Sequence, residues 1–276
     1  MKHVLLTVAF FAAVSARAQD ATPAPAPAPA TAPAPAPAPT SVPPLMAPPP
    51  APLPPPPPPP KKWKDGAEAS FVSTNGNTRT QTTAAKDTFT YDFDKQTELV
   101  IEGGALGARS QGATTAEQYY GGEKAEQKIG DSDYLFERFR WDRNRFAGIA
   151  AMNSATVGAG RTLWNTKANT FNAELGPGFV NEERIGENHQ DFASGRVYAK
   201  YVHNFSPTAN FSQDGEYLQN LDNTKDLHIN TVTALTTTIS SVFSLKVAYT
   251  WKHWSAPPPG FIKDDTTTSI ALIANF

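Results

Sequence analysis

Apolar and polar side chains alternate in short runs from Trp63 to the end of the chain. These runs are rich in Thr, Val, Phe and Tyr and are separated by Gly, Asn, Asp and Pro. A period of two places neighbouring side chains on opposite faces of an extended strand. The pattern predicts about twelve antiparallel strands, an even number that places both termini on one side of a barrel. Their expected ranges are 66–74, 78–92, 96–109, 114–128, 133–141, 152–164, 169–181, 190–203, 208–220, 225–239, 242–253 and 266–276.

Turn residues predict tight connections at some strand ends and longer loops at others. Asn75-Gly76-Asn77 is a hairpin signal, because Asn and Gly tolerate the positive φ that tight hairpins need. Tight connections are also expected at Asp94–Lys95 and Ser240–Ser241. Longer polar breaks are expected near 110–114, 142–150, 182–190, 221–226 and 254–265. This division predicts short connections in the periplasm and most of the longer ones outside the cell.

The last two predicted strands show the two faces clearly. Phe243, Leu245, Val247, Tyr249 and Trp251 alternate with small or cationic residues. A β-sandwich would alternate in the same way, but two further features favour an antiparallel transmembrane β-barrel. Aromatic residues gather at strand ends, as membrane-interface residues do, at Trp141, Trp164, Tyr201, Tyr217, Trp251 and Trp254. The chain also ends on Phe276 in an alternating strand, which resembles the signal that the barrel assembly machinery reads.

The strand at 133–141 fits this pattern least well. Leu135, Phe139 and Trp141 are expected to face lipid, yet Glu137 shares their face, while Arg138 and Arg140 fall on the other. Either Glu137 lies near the membrane interface or the register is wrong, because a slip of one residue exchanges the two faces.

The N-terminal part of the chain has a different composition. Lys2, the apolar run from Val4 to Val14 and the order Ala16-Arg17-Ala18 predict a signal peptide at residues 1–18. Residues 19–62 are dominated by Ala-Pro repeats and a proline run, which predict an extended polyproline spacer in the periplasm. Contact of this spacer with peptidoglycan is an alternative to a simple linker. The barrel domain is expected at residues 63–276.

Composition excludes several classes of function. The formal charge is −2, and loss of Lys2 and Arg17 with the signal peptide makes the chain more acidic, so no basic excess indicates a nucleic-acid partner. The chain has no cysteine, which excludes disulfides, thiolate metal sites and a cysteine nucleophile. After the signal peptide, no apolar run is long enough for a membrane helix. Outer-membrane lipid is the expected surrounding, and no cofactor is expected.

Charged residues on the predicted inner faces are the strongest candidates for function. The lumen-lining candidates are Glu98, Glu102, Arg196, Lys200, Lys246 and Lys252. Mixed charges in a barrel of this size either pair and plug it or line a narrow aqueous path, and both outcomes fit the residues.

Catalysis and metal binding are weaker hypotheses. His189 with Asp191, and His228 with Asp226, lie near predicted loops, but no nucleophile is placed beside either pair. A divalent cation could be bound by Asp264 and Asp265 with Asp222 or with Glu182 and Glu183, although a solvated polar loop explains these residues better. The sequence assigns no catalytic, cofactor-binding or metal-binding residue.

Three blocks of sequence resemble the YdiY-like family of salt-induced outer-membrane proteins, a family of unknown molecular function. The blocks are the opening hairpin around Asn75-Gly76-Asn77, the glycine-rich segments at 158–161 and 176–179, and the end at 244–276. The resemblance implies an outer-membrane barrel and a link to salt or envelope stress, and it carries no catalytic residues. The leading hypothesis is a structural or small-solute permeability barrel. The alternatives are a surface enzyme acting on protein or lipid, and an adhesion or receptor barrel.

Overall fold

A computed structural model describes residues 61–74 and 80–276. They form a closed barrel of twelve antiparallel strands in which each strand pairs with its neighbours in sequence and β1 pairs with β12. The predicted fold class is confirmed. The strands are β1 (Trp63–Thr74), β2 (Thr80–Asp92), β3 (Thr97–Ser110), β4 (Ala113–Lys128), β5 (Asp133–Asn144), β6 (Ile149–Asn165), β7 (Asn169–Arg184), β8 (Gln190–Ser206), β9 (Ala209–Asn220), β10 (Leu227–Thr238), β11 (Phe243–Trp254) and β12 (Asp264–Asn275).

The two ends of the barrel differ in their connections. At the end where β1 begins and β12 finishes, here called the terminal end, connections are short, for example 166–168 and 207–208. At the opposite end, the loop end, the longest connection is 255–263. The break expected at 110–114 is wrong, because Gln111 and Gly112 form a two-residue turn in which both have positive φ. The strong hairpin signal at 75–77 lies outside the described residues.

The alternation predicted for the last hairpin is present in the barrel. Phe243, Val247 and Tyr249 are exposed on the outer face, whereas Ser244 and Ala248 are buried inside. An apolar outer face matches a hydrocarbon surrounding, and polar residues are left for the lumen.

The register expected for the difficult strand is also present. In β5, Leu135 and Phe139 are exposed on the outer face with Glu137, while Tyr134 and Phe136 are buried inside. Trp254 corrects the expectation that it belongs to the outer aromatic residues. It ends β11 on the inner face and is 6% exposed.

Glycines in β6 and β7 allow part of the interior to be filled. A Cβ at Gly158 would collide with the main-chain oxygen of Leu175 and would lie 2.8 Å from the Phe136 ring. Gly160 leaves room in the same way for the Tyr134 ring. The two aromatic side chains of β5 therefore lie against the backbone of β6 inside the barrel.

A small apolar core lies on the same side of the lumen. Val180, Phe192 and Leu218 are buried on β7, β8 and β9, and Met152 of β6 packs against them. Burial of these side chains makes this side of the barrel a packed wall.

The N-terminal predictions fall almost entirely outside the described residues. The signal peptide at 1–18 does so completely, and only Lys61 and Lys62 of the 19–62 segment are described. Within residues 61–74 and 80–276, no helix is long and apolar enough to cross a membrane.

We predict that Gly158→Ala destabilises the barrel by about 1–3 kcal/mol, because the added methyl group meets main-chain atoms that cannot move aside. Gly107→Ala is the matched control, since no atom lies within 4 Å of the point on the outer face that its Cβ would occupy. Urea unfolding in detergent micelles, followed by tryptophan fluorescence, measures both variants. Equal stability of the two variants would contradict the close packing of β6 against β7.

Candidate functional site: the barrel lumen

The barrel encloses a cavity of about 640 Å³. Its lining begins at Glu98, the second residue of β3, near the terminal end, and reaches Lys252 of β11 near the loop end. The cavity therefore extends along most of the strand length. All six lumen candidates from the sequence line it: Glu98, Glu102, Arg196, Lys200, Lys246 and Lys252.

One side of the lumen is filled by paired charges. We use "ionic cluster" for Lys124, Arg138, Glu174, Arg196 and Glu216, which come from five different strands. Arg196 donates to Glu174 at 2.9 Å and to Glu216 at 2.7 Å. Lys124 pairs with Glu174, and Arg138 approaches Glu216 at 3.5 Å.

The ionic cluster joins strands that are not neighbours in the sheet. Lys124 lies on β4 and Glu174 on β7, while Arg138 lies on β5 and Glu216 on β9. These pairs therefore cross the lumen. The Tyr134 hydroxyl adds a hydrogen bond to Glu174 at 3.0 Å. Because a charge buried without a partner is costly, the mutual pairing makes this packing stable.

A second group of paired side chains, the loop-end cluster, consists of Glu182, Arg184, Asp226 and Trp254. Arg184 contacts Glu182 at 2.9 Å and Asp226 at 2.5 Å, and the Trp254 indole donates to Asp226 at 2.8 Å. Asp226 lies in the 221–226 connection. Burial raises the pKa of its carboxyl, but the hydrogen bonds from Arg184 and Trp254 outweigh burial and lower that pKa. The cluster ties three loop-end connections together over the filled side.

The longest connection also covers the filled side. Pro258 in the 255–263 connection is buried, and a Cβ at Gly148 would lie 3.0 Å from its ring. Gly148 ends the turn between β5 and β6 with φ of 89°, which favours glycine. The long loop thus folds toward β5 and β6 and away from the β1–β4 side.

The opposite side of the lumen, formed by β1–β4 and β10–β12, holds the open part of the cavity. Lys246 pairs with Glu68 at 3.0 Å, and Lys86 approaches Glu102 at 3.5 Å. Among the described residues, Lys200 and Lys252 make no salt bridge, although both line the cavity. These two ammonium groups are available to solutes in the lumen.

Sequence reasoning missed several members of the inner charge set. Lys86, Lys124, Glu174, Asp214 and Glu216 line the cavity but are absent from the sequence-based candidates. Each lies at an inward position of its strand, so extending the alternation through every strand would have found them. Their pairing across the lumen has no such signal, because it depends on barrel curvature.

The catalytic hypotheses gain little from the geometry. His189 contacts Asp191 at 3.2 Å and Asn181 at 2.8 Å on the exposed surface. His228 lies 3.9 Å from Asp226. Within the part of the chain that the structure describes, no serine hydroxyl is hydrogen-bonded to either ring, so the nucleophile–base contact of a hydrolase is not assembled here.

The metal hypothesis also lacks a suitable arrangement. Asp264 accepts a hydrogen bond from Trp251 and contacts His253 on the outer face, whereas Glu182 lies inside with Arg184. Across residues 61–74 and 80–276, no group of three or more His, Asp or Glu side chains is arranged to hold a metal ion.

Comparison with known proteins identifies relatives by sequence and by fold. The family model described as protein of unknown function, DUF481, matches residues 67–276. The uncharacterized protein YdiY of Escherichia coli strain K12 is 26% identical over 204 residues, which cover 74% of this chain and 79% of YdiY.

Solved structures share the architecture at low sequence identity. The NanC porin is similar with a TM-score of 0.50 and 8% identity, over 76% of this chain and 98% of the porin. The COG4313 outer membrane channel from Pseudomonas putida F1 has a TM-score of 0.50 and 9% identity, over 79% of this chain and 96% of the channel. At such identities the likeness concerns the fold alone.

We predict that Arg196→Gln destabilises the barrel by about 3–5 kcal/mol, because it leaves Glu174 and Glu216 short of a buried partner. The matched control is Arg161→Gln, which removes an equally short pair with Asp133 on the surface, where both side chains are 39–60% exposed. That change should cost about 0–1 kcal/mol. Denaturant midpoints in micelles compare the two. A similar loss in both variants would show that the ionic cluster is hydrated like the surface pair.

Proposed function

The chain belongs to the DUF481 family, and we propose that it is an outer-membrane barrel that lets small charged solutes pass through the open side of its lumen. The observation that supports this proposal most strongly is the position of the cavity. Its lining spans most of the strand length and lies to one side of the ionic cluster. The cluster narrows the lumen without filling it, so passage would be limited to small solutes.

The charges of the cavity suggest which solutes it favours. Cationic and acidic residues both line the path, but most of them are paired with each other. Lys200 and Lys252 are not paired with a described carboxylate, which leaves two cations facing the water. A preference for small anions is therefore the expected selectivity.

The orientation of the barrel follows from its termini. Both lie at the terminal end, where Asp65 and Phe276 exchange main-chain hydrogen bonds at 3.4 and 2.9 Å. We infer that this end faces the periplasm, because the predicted signal peptide and proline-rich segment precede β1. In this arrangement the 19–62 segment would extend toward the cell wall, with peptidoglycan as its candidate contact, and Phe276 would serve the barrel assembly machinery. A role in salt or envelope stress rests on the family resemblance.

A purely structural barrel is the second candidate. It is favoured by the pairs that cross the lumen from β4 to β7 and from β5 to β9, because such bridges stiffen the barrel whether or not solutes pass. In that case the cavity would be closed at one end by the loops. Conductance separates the two functions.

We predict discrete conductance steps when the chain from Gln19 to Phe276 is refolded and inserted in a planar bilayer. The double variant Lys200→Glu with Lys252→Glu should shift selectivity from anions toward cations, since it reverses the charges that face the path. Lys263→Glu, an exposed loop position outside the cavity lining, is the control and should leave selectivity unchanged. An inserted barrel without conductance would support the structural role and overturn the permeability proposal.

A further inference from the structure

The closure between β1 and β12 is shorter than every other strand pairing. Residues Gly66–Ala69 pair with Leu272–Asn275, and Asp65 and Phe276 extend the ladder at the terminal end. By contrast, β1 pairs with β2 from Trp63 to Thr74. Among the described residues, Ser70–Thr74 therefore pair with β2 alone, and Asp264–Ala271 pair with β11 alone. We call this unpaired half of the closure the seam.

A seam in the membrane needs water on one side. Unpaired main-chain N–H and C=O groups in hydrocarbon cost several kcal/mol each, so irregular edges are tolerated only where they meet protein or a hydrated cavity. The cavity supplies that water, because its lining includes Ser70, Thr267, Ser269 and Ala271 on the two sides of the seam. The aqueous lumen therefore reaches the edge of the bilayer here.

An apolar depression of about 620 Å³ lies on the outer face next to the seam. Its lining is dominated by small residues, with Ala67, Ala69, Ala85, Gly103 and Ala105 beside Leu272. Ala85 and Ala105 belong to both the depression and the cavity lining, as do Glu68 and Lys86. Only a thin wall of small residues thus separates the two spaces.

An ion pair marks the point where the seam begins. Lys246 of β11 contacts both carboxylate oxygens of Glu68 of β1, at 3.0 and 3.1 Å. This contact passes over β12 on the inner face, beside the last paired residues Ala69 and Leu272. It ties β1 to β11 and keeps the paired half closed while the other half stays open.

The cation nearest to the open half is Lys252. It lies on β11 opposite Asp265 of β12, within the stretch of β12 that has no partner on β1 among the described residues. It faces the cavity and makes no salt bridge with a described residue. An anionic group that enters through the seam would meet this ammonium first.

We propose that the seam is a lateral passage between the lumen and the bilayer for a single-chain amphiphile with an anionic headgroup. The acyl chain lies in the outer depression, and the headgroup passes the seam toward Lys252. This goes beyond the conduction of small solutes along the barrel axis, because the substrate enters from lipid. Neither path requires the other.

Disulfide trapping tests whether the seam is open, and the chain provides a background free of cysteine. Phe71→Cys with Ile270→Cys would be directly paired if the ladder continued past Ala69 and Leu272. Two controls present cysteines on the same outer face: Ala69→Cys with Leu272→Cys, and Val247→Cys with Ile270→Cys, which are paired. We expect oxidation of both controls in outer membranes and about tenfold slower oxidation of the 71/270 pair. Equal rates would mean that the seam is closed and would overturn the proposal.

A binding measurement tests the ligand. The chain is reconstituted in liposomes and titrated with undecanoic acid that carries a dansyl fluorophore, and with a lysophosphatidylcholine that carries the same fluorophore. We expect saturable binding of the fatty acid, and Lys252→Gln should weaken it by about tenfold while leaving the zwitterionic probe unchanged. Bridging the 71/270 cysteines with a short thiol-reactive linker should abolish binding, whereas a disulfide between positions 247 and 270 should not.

Three results would contradict the amphiphile. Non-saturable partitioning that is equal in all variants would leave no bound probe, and an unchanged affinity in Lys252→Gln would remove the role of the headgroup. A single Ala85→Cys variant that forms covalent dimers in membranes would show that a second copy of the chain covers the depression. Axial conductance that persists in the bridged 71/270 variant would separate this outcome from that of the small-solute path.

Discussion

Closure of the sheet is the constraint on which the rest of this structure depends. Hydrocarbon offers no partner to a main-chain N–H or C=O group, so each strand needs two neighbours, and only a closed ladder provides them for all twelve. The alternating side-chain pattern follows from the same constraint, since each strand then has one face in lipid and one in the lumen. The half-paired contact between β1 and β12 stands out for this reason. It is the place where the lumen has to supply the missing hydration.

Division of the lumen into a packed side and an open side determines which charges can meet a solute. The packed side combines glycines that accept aromatic rings, the apolar core on β7–β9 and the ionic cluster. Charges there satisfy one another across the lumen, so they stiffen the barrel instead of contacting solutes. The open side keeps two lysines without described carboxylate partners and borders the seam. Selectivity and any lateral exchange therefore depend on the same side of the molecule.

The sequence predicted the fold well because barrel strands carry their instructions locally. Period two identified twelve strands, and the inner face of β5 was correct despite Glu137. Trp254 was misplaced because a tryptophan at a strand end has the same sequence signal whether it faces lipid or turns inward to a buried aspartate such as Asp226. The pairs from β4 to β7 and from β5 to β9 were beyond prediction, since they depend on how the sheet curves. The short β1–β12 ladder was beyond it as well, because the two strands meet only through closure.

Accessibility of single spin-labelled cysteines tests the division of the lumen most directly. Labels at inward positions 246, 250 and 252 of β11 should be reached by a water-soluble nickel complex, and labels at outward positions 245, 247 and 249 by oxygen dissolved in lipid. Labels at inward positions 178 and 180 of β7 should be reached by neither, because the packed side excludes both. Equal access of the nickel complex to the inward positions of β7 and β11 would contradict the account, and so would its exclusion from both strands.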